Sequence, residues 1–481
     1  MQTIRNLFLL LLFTLPIIFS PVTYLAFELP KILILYFFSA LSIYFLAKSG
    51  YSLTKLTKIH KLFLIFLLWI IFTSIIGLSF QQSFWGSYFR MQGILSWICY
   101  TILFFISGKV FSDAYFRRHV CLAILVSATF TAILALIQFI GLWFLGNNTQ
   151  LLYSGRVIST FGQPNFLGAY LVMSLPFVWY LYNHTPLSLR ARFVSGVAIF
   201  IIILGIFSTF SRSAYLGLAI LALIWGIKHY KLLLTGIVFS VLLFGALATI
   251  SPNLVYQQWY RFKVNTISKW TAENRLIIAQ KSLKLIVQRP IIGYGIENFS
   301  LAFPQVVSED DLGLKDIVVD SAHNLFLDLG VQTGLIGLGI FLAILIVTIK
   351  AGLKVKDDFI KASLCVIISF LIIHQFSPVS VIPMVIFWIS LGVINPLHVI
   401  ASEGKKSSNY IIHFFGISLI ALTTFFIIQT IRADILFHQS SAYEVSDINR
   451  AIKLDNDAIK IAPWINFYKI RRDFLLKQLG Y

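Results

Sequence analysis

Apolar positions along this chain neither alternate nor recur as one face of a helix; they run on unbroken. Runs of about 18 residues or more, long enough as helices to cross roughly 30 Å of hydrocarbon, recur along its length. They fall at 6–27, 30–47, 61–79, 93–111, 119–145, 163–182, 191–209, 213–227, 231–250, 323–349, 361–377, 382–400 and 410–431. The run at 213–227 is short. The pattern predicts an all-α polytopic membrane protein with about 12–13 transmembrane helices. The first run resembles a signal peptide, with Arg5 ahead of it. No small-residue cleavage site follows, however, and Pro16 and Pro21 lie inside a run that reaches Phe27. We read it as a retained first span.

Composition agrees with this reading. Of 481 residues, 58% are hydrophobic and 12% charged, with a mean hydropathy of +0.86, whereas a soluble domain is nearer a quarter charged. A net charge of +19 would suggest nucleic acid in a soluble protein. Here the surplus sits in alternate gaps between spans: Lys48, Lys55, Lys58 and Lys61; Lys109, Arg117 and Arg118; Arg190 and Arg192; Lys228 and Lys231; Lys350, Lys354, Lys356 and Lys361; Lys405 and Lys406. Lys and Arg resist translocation, so these gaps face the cytoplasm. The expected address is the cytoplasmic (inner) membrane, with the N-terminus inside, the tail outside and no nucleic-acid partner. The cysteines Cys99, Cys121 and Cys365 fall within spans, with neither metal-ligand spacing nor a disulfide pairing.

This topology divides the chain into four parts. Residues 1–250 carry nine spans, 251–322 form a large external loop, 323–431 carry four spans, and 432–481 make an external helical tail. Inside the loop, 272–289 reads as an amphipathic helix in the membrane interface. Leu276, Ala279, Leu283, Ile286 and Val287 lie on one face, and Gln280, Lys281, Lys284 and Gln288 on the other. Thr271 and Glu273 suit its start and Pro290 its end. In the tail, Ala442, Ala451, Ile452, Ile459 and Ala462 recur at helical spacing. One helix pair of the tetratricopeptide kind fits them. It would have to lean on the external loop or a partner to bury its apolar face.

Four arginines break the charge bias by falling on the external side: Arg90, Arg156, Arg212 and Arg275. An anion held there would account for them. The planar guanidinium fork pairs bidentately with phosphate oxygens, and a lipid-linked pyrophosphate fits best. Arg212 sits between Ser211 and Ser213 in a tight turn, and Arg275 near the start of the interfacial helix, whose dipole would favour an anion. Arg90 and Arg156 could reach the same place from two other loops, or simply snorkel to lipid phosphates. Lys281, Lys284 and Arg289 suit contacts with anionic membrane lipids. His323 at the start of a span could take a proton from a hydroxyl or bond a phosphate, or be an interfacial histidine without a role. Asp320 is the runner-up base and Asn324 a secondary candidate. His374 reads as structural. No motif suggests a metal, nucleotide or flavin cofactor.

Four stretches in order resemble the O-antigen ligase and polymerase family of bacterial membrane glycosyltransferases. They are Phe84-Trp85-Gly86 through Arg90; Gly162-Gln163-Pro164-Asn165; Ser211-Arg212-Ser213; and Asn274-Arg275 through Pro290, Gly293 and Gly295 to Ala322-His323-Asn324. The resemblance spans roughly 80–345. It implies a GT-C-like, metal-independent enzyme that moves a glycan from an undecaprenyl-pyrophosphate donor to an acceptor outside the membrane, with inversion at the anomeric carbon. Arg212, Arg275 and His323 match the family's donor-binding and catalytic positions. Two departures stand out: Gln332 occupies a place that is acidic in many relatives, and a thirteenth span with a tail exceeds the usual plan. The tail resembles members whose acceptor is not lipid A, so the acceptor stays open among lipid A core, envelope glycan and protein. Polymerisation of repeat units, a flippase or exporter of lipid-linked oligosaccharide, and a sensor working through its tail are the competing readings.

Overall fold

A computed structural model describes residues 1–49, 51–144, 152–153, 156–184, 189–226, 269–308, 311, 318–396, 398–401 and 410–479. Nearly all of them are helical. Lipid offers backbone groups no water to bond, so each segment must satisfy its own. In chain order the helices are α1 (Gln2–Thr14), α2 (Glu28–Lys48), α3 (Lys58–Ile75), α4 (Phe80–Trp85), α5 (Ile94–Val110), α6 (Ala114–Phe144), α7 (Pro164–His184), α8 (Leu189–Ser208) and α9 (Arg212–Gly226). They continue with α10 (Lys269–Gln288), α11 (Phe299–Ala302), α12 (Leu325–Lys354), α13 (Asp358–Ile373), α14 (Val381–Ile394), α15 (Tyr410–Tyr443), α16 (Ile448–Ile461) and α17 (Asn466–Gln478). Among the described residues, seven helices are long and apolar enough to cross a membrane, and four further apolar helices are shorter. Each expected span coincides with a helix except 231–250, which lies outside the described residues, as does the loop at 251–268. The protein is an all-α polytopic membrane protein.

Three expectations need correction. The first span does not run to Phe27: α1 ends at Thr14 and residues 15–27 form turns, because Pro16 and Pro21 have no N–H to continue a helix. The last span does not stop at 431 but continues unbroken to Tyr443, so span and tail share one helix. The interfacial helix α10 presents Ile278, Lys281, Ser282, Leu285 and Ile286 to the protein and leaves Leu276, Leu283 and Val287 exposed. Lys281 is therefore no lipid contact. The segment after α11 folds back over it, and its ammonium pairs with Asp311 at 2.5 Å.

The core is continuous through the bundle, and small residues let helices close up. A Cβ on Gly392 of α14 would collide with Ser107 and Phe104 of α5, and one on Gly108 with Pro396 and Gly392; small residues at such crossings are the usual means of close packing in lipid. The irregular segments 15–27, 76–93, 156–163, 209–211, 289–308, 318–324 and 374–380 bond to one another at one end of the bundle. Thr160 Oγ1 donates to Pro16 O (2.5 Å), Val381 N to Glu28 Oε2 (3.2 Å), Leu325 N to His374 O (2.9 Å) and Leu78 N to Tyr294 O (3.1 Å).

A break in α12 fixes the largest of these segments. Gly334 leaves the helix with φ 68° and ψ −178°. The carbonyls this frees accept from elsewhere: Val331 O from Tyr294 N and Gln332 O from Gly295 N, both at 2.9 Å, and Thr333 O from Trp69 Nε1 at 2.9 Å. Leu335 N in turn donates to Pro290 O at 2.7 Å. Broken helices persist at membrane depth only when protein re-satisfies the backbone in this way. A Cβ on Gly334 would strike the carbonyl of Ile291. Gly334→Ala should therefore cost at least about 1–3 kcal/mol from the left-handed backbone alone, lowering the melting temperature in detergent. Gly339→Ala in the same helix, where an added Cβ meets nothing within 4 Å, is the control and should melt like the parent. Equal melting of both variants would mean the break does not depend on that glycine.

Candidate active site

Among the described residues, five non-glycine residues with positive φ mark the irregular end: Met91 (52°), Ser159 (49°), Phe210 (49°), Glu297 (62°) and His323 (52°). Each costs on the order of 1–3 kcal/mol and persists only where the surroundings over-determine it. Met91 follows Arg90, Ser159 lies just past Arg156, Phe210 precedes Ser211-Arg212, and His323 is itself a candidate. The strained backbone thus falls where the charged side chains are presented.

Arg90 is well enclosed, its side chain 10% exposed. Its Nε lies 3.6 Å from Asp320 Oδ2, and its NH1 donates to Asp320 O at 3.2 Å. Burial would weaken its protonated form, but the charges of Asp320, Glu297, Asp328 and Glu28 outweigh that and hold the guanidinium above its ordinary pKa. Arg90 therefore arrives with its charge answered by protein carboxylates.

His323 precedes α12. Its N–H donates to Ser321 Oγ at 3.1 Å, while Nδ1 is buried without a hydrogen-bond partner. Burial pushes its pKa down to about 4, with Arg275 and Arg90 adding to the fall and Asp320 opposing it. The imidazole is uncharged at neutral pH, within the electrostatic reach of all three. Asn324, the secondary candidate beside it, caps α12. Its Oδ1 accepts from Phe326 N (3.0 Å) and Leu327 N (3.1 Å), and its Nδ2 donates to Gln375 Oε1 (3.0 Å). Both ends of that amide are engaged in structure.

Arg275 and Arg212 approach each other from α10 and α9. Partial desolvation lowers the pKa of Arg275, and the charge of Arg212 lowers it further. Arg275 sits in the second turn of α10, since that helix begins at Lys269. The helix dipole fades within the first turn, so it contributes less here than a helix-start position would. Arg212 opens α9 on a braced turn. Ser211 Oγ bonds Asn165 Oδ1 (2.9 Å) and Ser213 Oγ (3.1 Å), and Ser211 N donates to Thr209 Oγ1 (3.2 Å). Arg156 is part of that brace: Nε donates to Thr209 O at 3.0 Å and NH2 to Asn165 Oδ1 at 3.2 Å. The structure thus links Arg212, Arg275, His323, Asp320 and Arg90 in one sequence of neighbours. It sets Arg156 behind the turn that presents Arg212.

Sequence reasoning missed Glu297 and Asp328. With Arg90, Gln92 and Gln332 they supply the polar lining of a cavity of ≈ 60 Å³ whose apolar lining includes Trp97, Phe341, Phe370, Phe387 and Trp388. Glu297 Oε2 accepts from Ser87 N (3.0 Å) and Ser87 Oγ (2.7 Å), and Asp328 Oδ1 from Ala322 N (2.7 Å). Gln332, the departure noted in sequence, has a place of its own: its Oε1 accepts from Glu297 N at 2.9 Å. A carboxylate inside an apolar run is itself a signal, and Asp328 carried it. Glu297 carried none.

A multi-pass helical membrane protein that brings Arg90, Arg212, Arg275 and His323 together at one end of its bundle is the class that fold and site define. Residues 197–342, which hold Arg212, Arg275 and His323, match the family model described as O-antigen ligase. This match supports the resemblance to the O-antigen ligase family that the ordered motifs carry. The chain is also 27% identical over 215 residues to the ComP-specific O-oligosaccharyltransferase of Acinetobacter baylyi (strain ATCC 33305 / BD413 / ADP1). That alignment covers 43% of this chain and 38% of the relative, so the two share well under two thirds of the relative's length.

The electrostatics of His323 can be read directly. A carbon-13 histidine NMR titration, assigned by difference against His323→Ala, should place its midpoint near pH 4. Removing the Arg275 charge with Arg275→Gln should raise that midpoint, and Asp320→Asn should lower it, because each neighbour acts on the imidazolium with the sign of its own charge. A midpoint near the ordinary 6.5, insensitive to both changes, would show that His323 does not sit among these groups.

Proposed function

We propose that this protein is an inverting glycosyltransferase that uses no metal ion or organic cofactor. It moves a glycan from an undecaprenyl-pyrophosphate-linked donor to an acceptor hydroxyl on the external side of the cytoplasmic membrane. The observation that carries this reading is the approach of Arg212 to Arg275 beside an uncharged His323. Two guanidinium groups held together repel, and a doubly phosphorylated anion between them turns that cost into binding. The charge that develops on the departing pyrophosphate is then stabilised where it forms. As the acceptor oxygen bonds to the anomeric carbon, the bond from that carbon to the pyrophosphate oxygen breaks and its electron pair leaves with the phosphate. The hydroxyl proton passes to His323. A bound pyrophosphate offsets the cationic fields that depress the imidazole, so the histidine becomes a better base once the donor is in place.

The polyprenyl chain lies in the bilayer beside the bundle, with membrane lipids as its surroundings, and the glycan projects to the external side. A protein hydroxyl as acceptor is the second reading. It is favoured by the name of the Acinetobacter relative, which is specific for ComP, and by the folded tail beyond the last span. A lipid-linked oligosaccharide flippase fits less well. It would need charged side chains along a path through the bundle, whereas the cations named above gather at one end.

Arg212→Ala and His323→Ala should each lower glycan transfer in cells by about 100-fold or more, the scale of losing one transition-state contact. Membrane protein levels should hold, and lipid-linked glycan should accumulate. Normal product from both variants at normal protein levels would retire this mechanism.

A further inference from the structure

Asp434 stands on α15 near the irregular end, fully buried, and three segments converge on its carboxylate. Tyr88 and Tyr468 donate their hydroxyls to Oδ1, Tyr468 at 3.0 Å, and Leu25 N donates to Oδ2 at 3.1 Å. These donors come from the loop before α5, from α17 in the tail and from the loop after α1. Further bonds and ring contacts close the same seam. Gln81 Nε2 donates to Pro463 O (3.2 Å) and Trp464 O (3.1 Å); Trp85 stacks on Phe426 at 4.8 Å and Tyr88 on Phe467 at 4.6 Å. The far side of segment 76–93 is tied to the site. Ser83 Oγ donates to Ile296 O at 2.9 Å, Gln82 Nε2 to Glu297 O at 2.7 Å, Ser87 to the Glu297 carboxylate and Arg90 to Asp320.

Segment 76–93 is thus clamped between the tail and the strand of chain that carries Glu297, Asp320 and His323. We propose that Asp434 is a positioning residue: by gripping Tyr88, two residues before Arg90, it makes the C-terminal tail part of the machinery that sets the Arg90–Asp320 pair beside His323. The inference rests on the transferase reading for its functional consequence but not for its geometry. Asp434 is more than 300 residues away in sequence from Arg90 and more than 100 from Asp320. A buried carboxylate with three donors is costly to leave half-made, so loss of the acceptor frees the loop while removal of one phenol loosens it.

Two measurements on the full-length protein in lipid nanodiscs test this. Asp434→Ala, and the milder Tyr88→Phe, should increase hydrogen exchange at 84–92 and 318–324 while leaving α5 and α14 protected. Transfer from lipid-linked donor should fall about 10-fold or more, and Arg90→Ala/Asp434→Ala should be no slower than Arg90→Ala alone, because coupled sites are not additive. Multiplicative losses in the double variant, or unchanged exchange at both segments in Tyr88→Phe, would overturn the proposal. If Asp434→Ala does not accumulate, Tyr88→Phe and its double with Arg90→Ala give the same reading. Absence of any transfer by the parent protein would count against the transferase reading instead, with the exchange data still deciding the clamp.

Discussion

Arg90 is a guanidinium buried where the bundle meets its irregular end, and such a charge is tenable only when it is answered. Glu28 answers it from the start of α2, Glu297 and Asp320 from the segment after α10, and Asp328 from the first turn of α12. None of these four is near another in sequence except the last two. The cluster therefore exists only once three distant parts of the chain have come together, and it holds them there. Removing the carboxylates would leave the buried guanidinium unanswered, which makes the cluster a condition for the site.

The cluster also divides the site electrostatically. Carboxylates gather around Arg90, while Arg275 has Arg212 as its charged neighbour. An anion is drawn to the second group and repelled from the first. His323 has members of both groups, Arg90 with Asp320 and Arg275, among its charged neighbours. Arg156 contributes by bracing the turn beneath Arg212, a role in which its charge is directed at a backbone carbonyl and an amide.

Backbone satisfaction explains how the long irregular segments at this end are held. The break at Gly334 would be untenable in lipid were its carbonyls left open. They are instead taken by Tyr294, Gly295 and Trp69, and that same docking delivers Glu297 to the cavity with a left-handed backbone. Strain at Met91, Phe210 and His323 is sustained by the same web of long-range bonds. Along the other edge, Asp434 and the tail close the web, so a segment that looks like an appendage is continuous with the last span.

What the sequence by itself determined is the helical, membrane-spanning character, and it offered the four arginines and His323 as candidates, because unbroken apolar runs and misplaced cations are local signals that survive any arrangement of the spans. Two local signals were outweighed by the apolar runs around them: Pro16 and Pro21, which end α1 early, and Asp328, a carboxylate in an apolar run. Only the tertiary structure decided which cations share a site. Arg90 acquired carboxylate neighbours, Arg156 a bracing role, Lys281 a partner in Asp311, and Asn324 a helix cap. Glu297 and Asp434 were silent in sequence for the same reason. The meaning of a charged or polar side chain in a membrane protein is set by the partner that answers it, and that partner comes from another part of the chain.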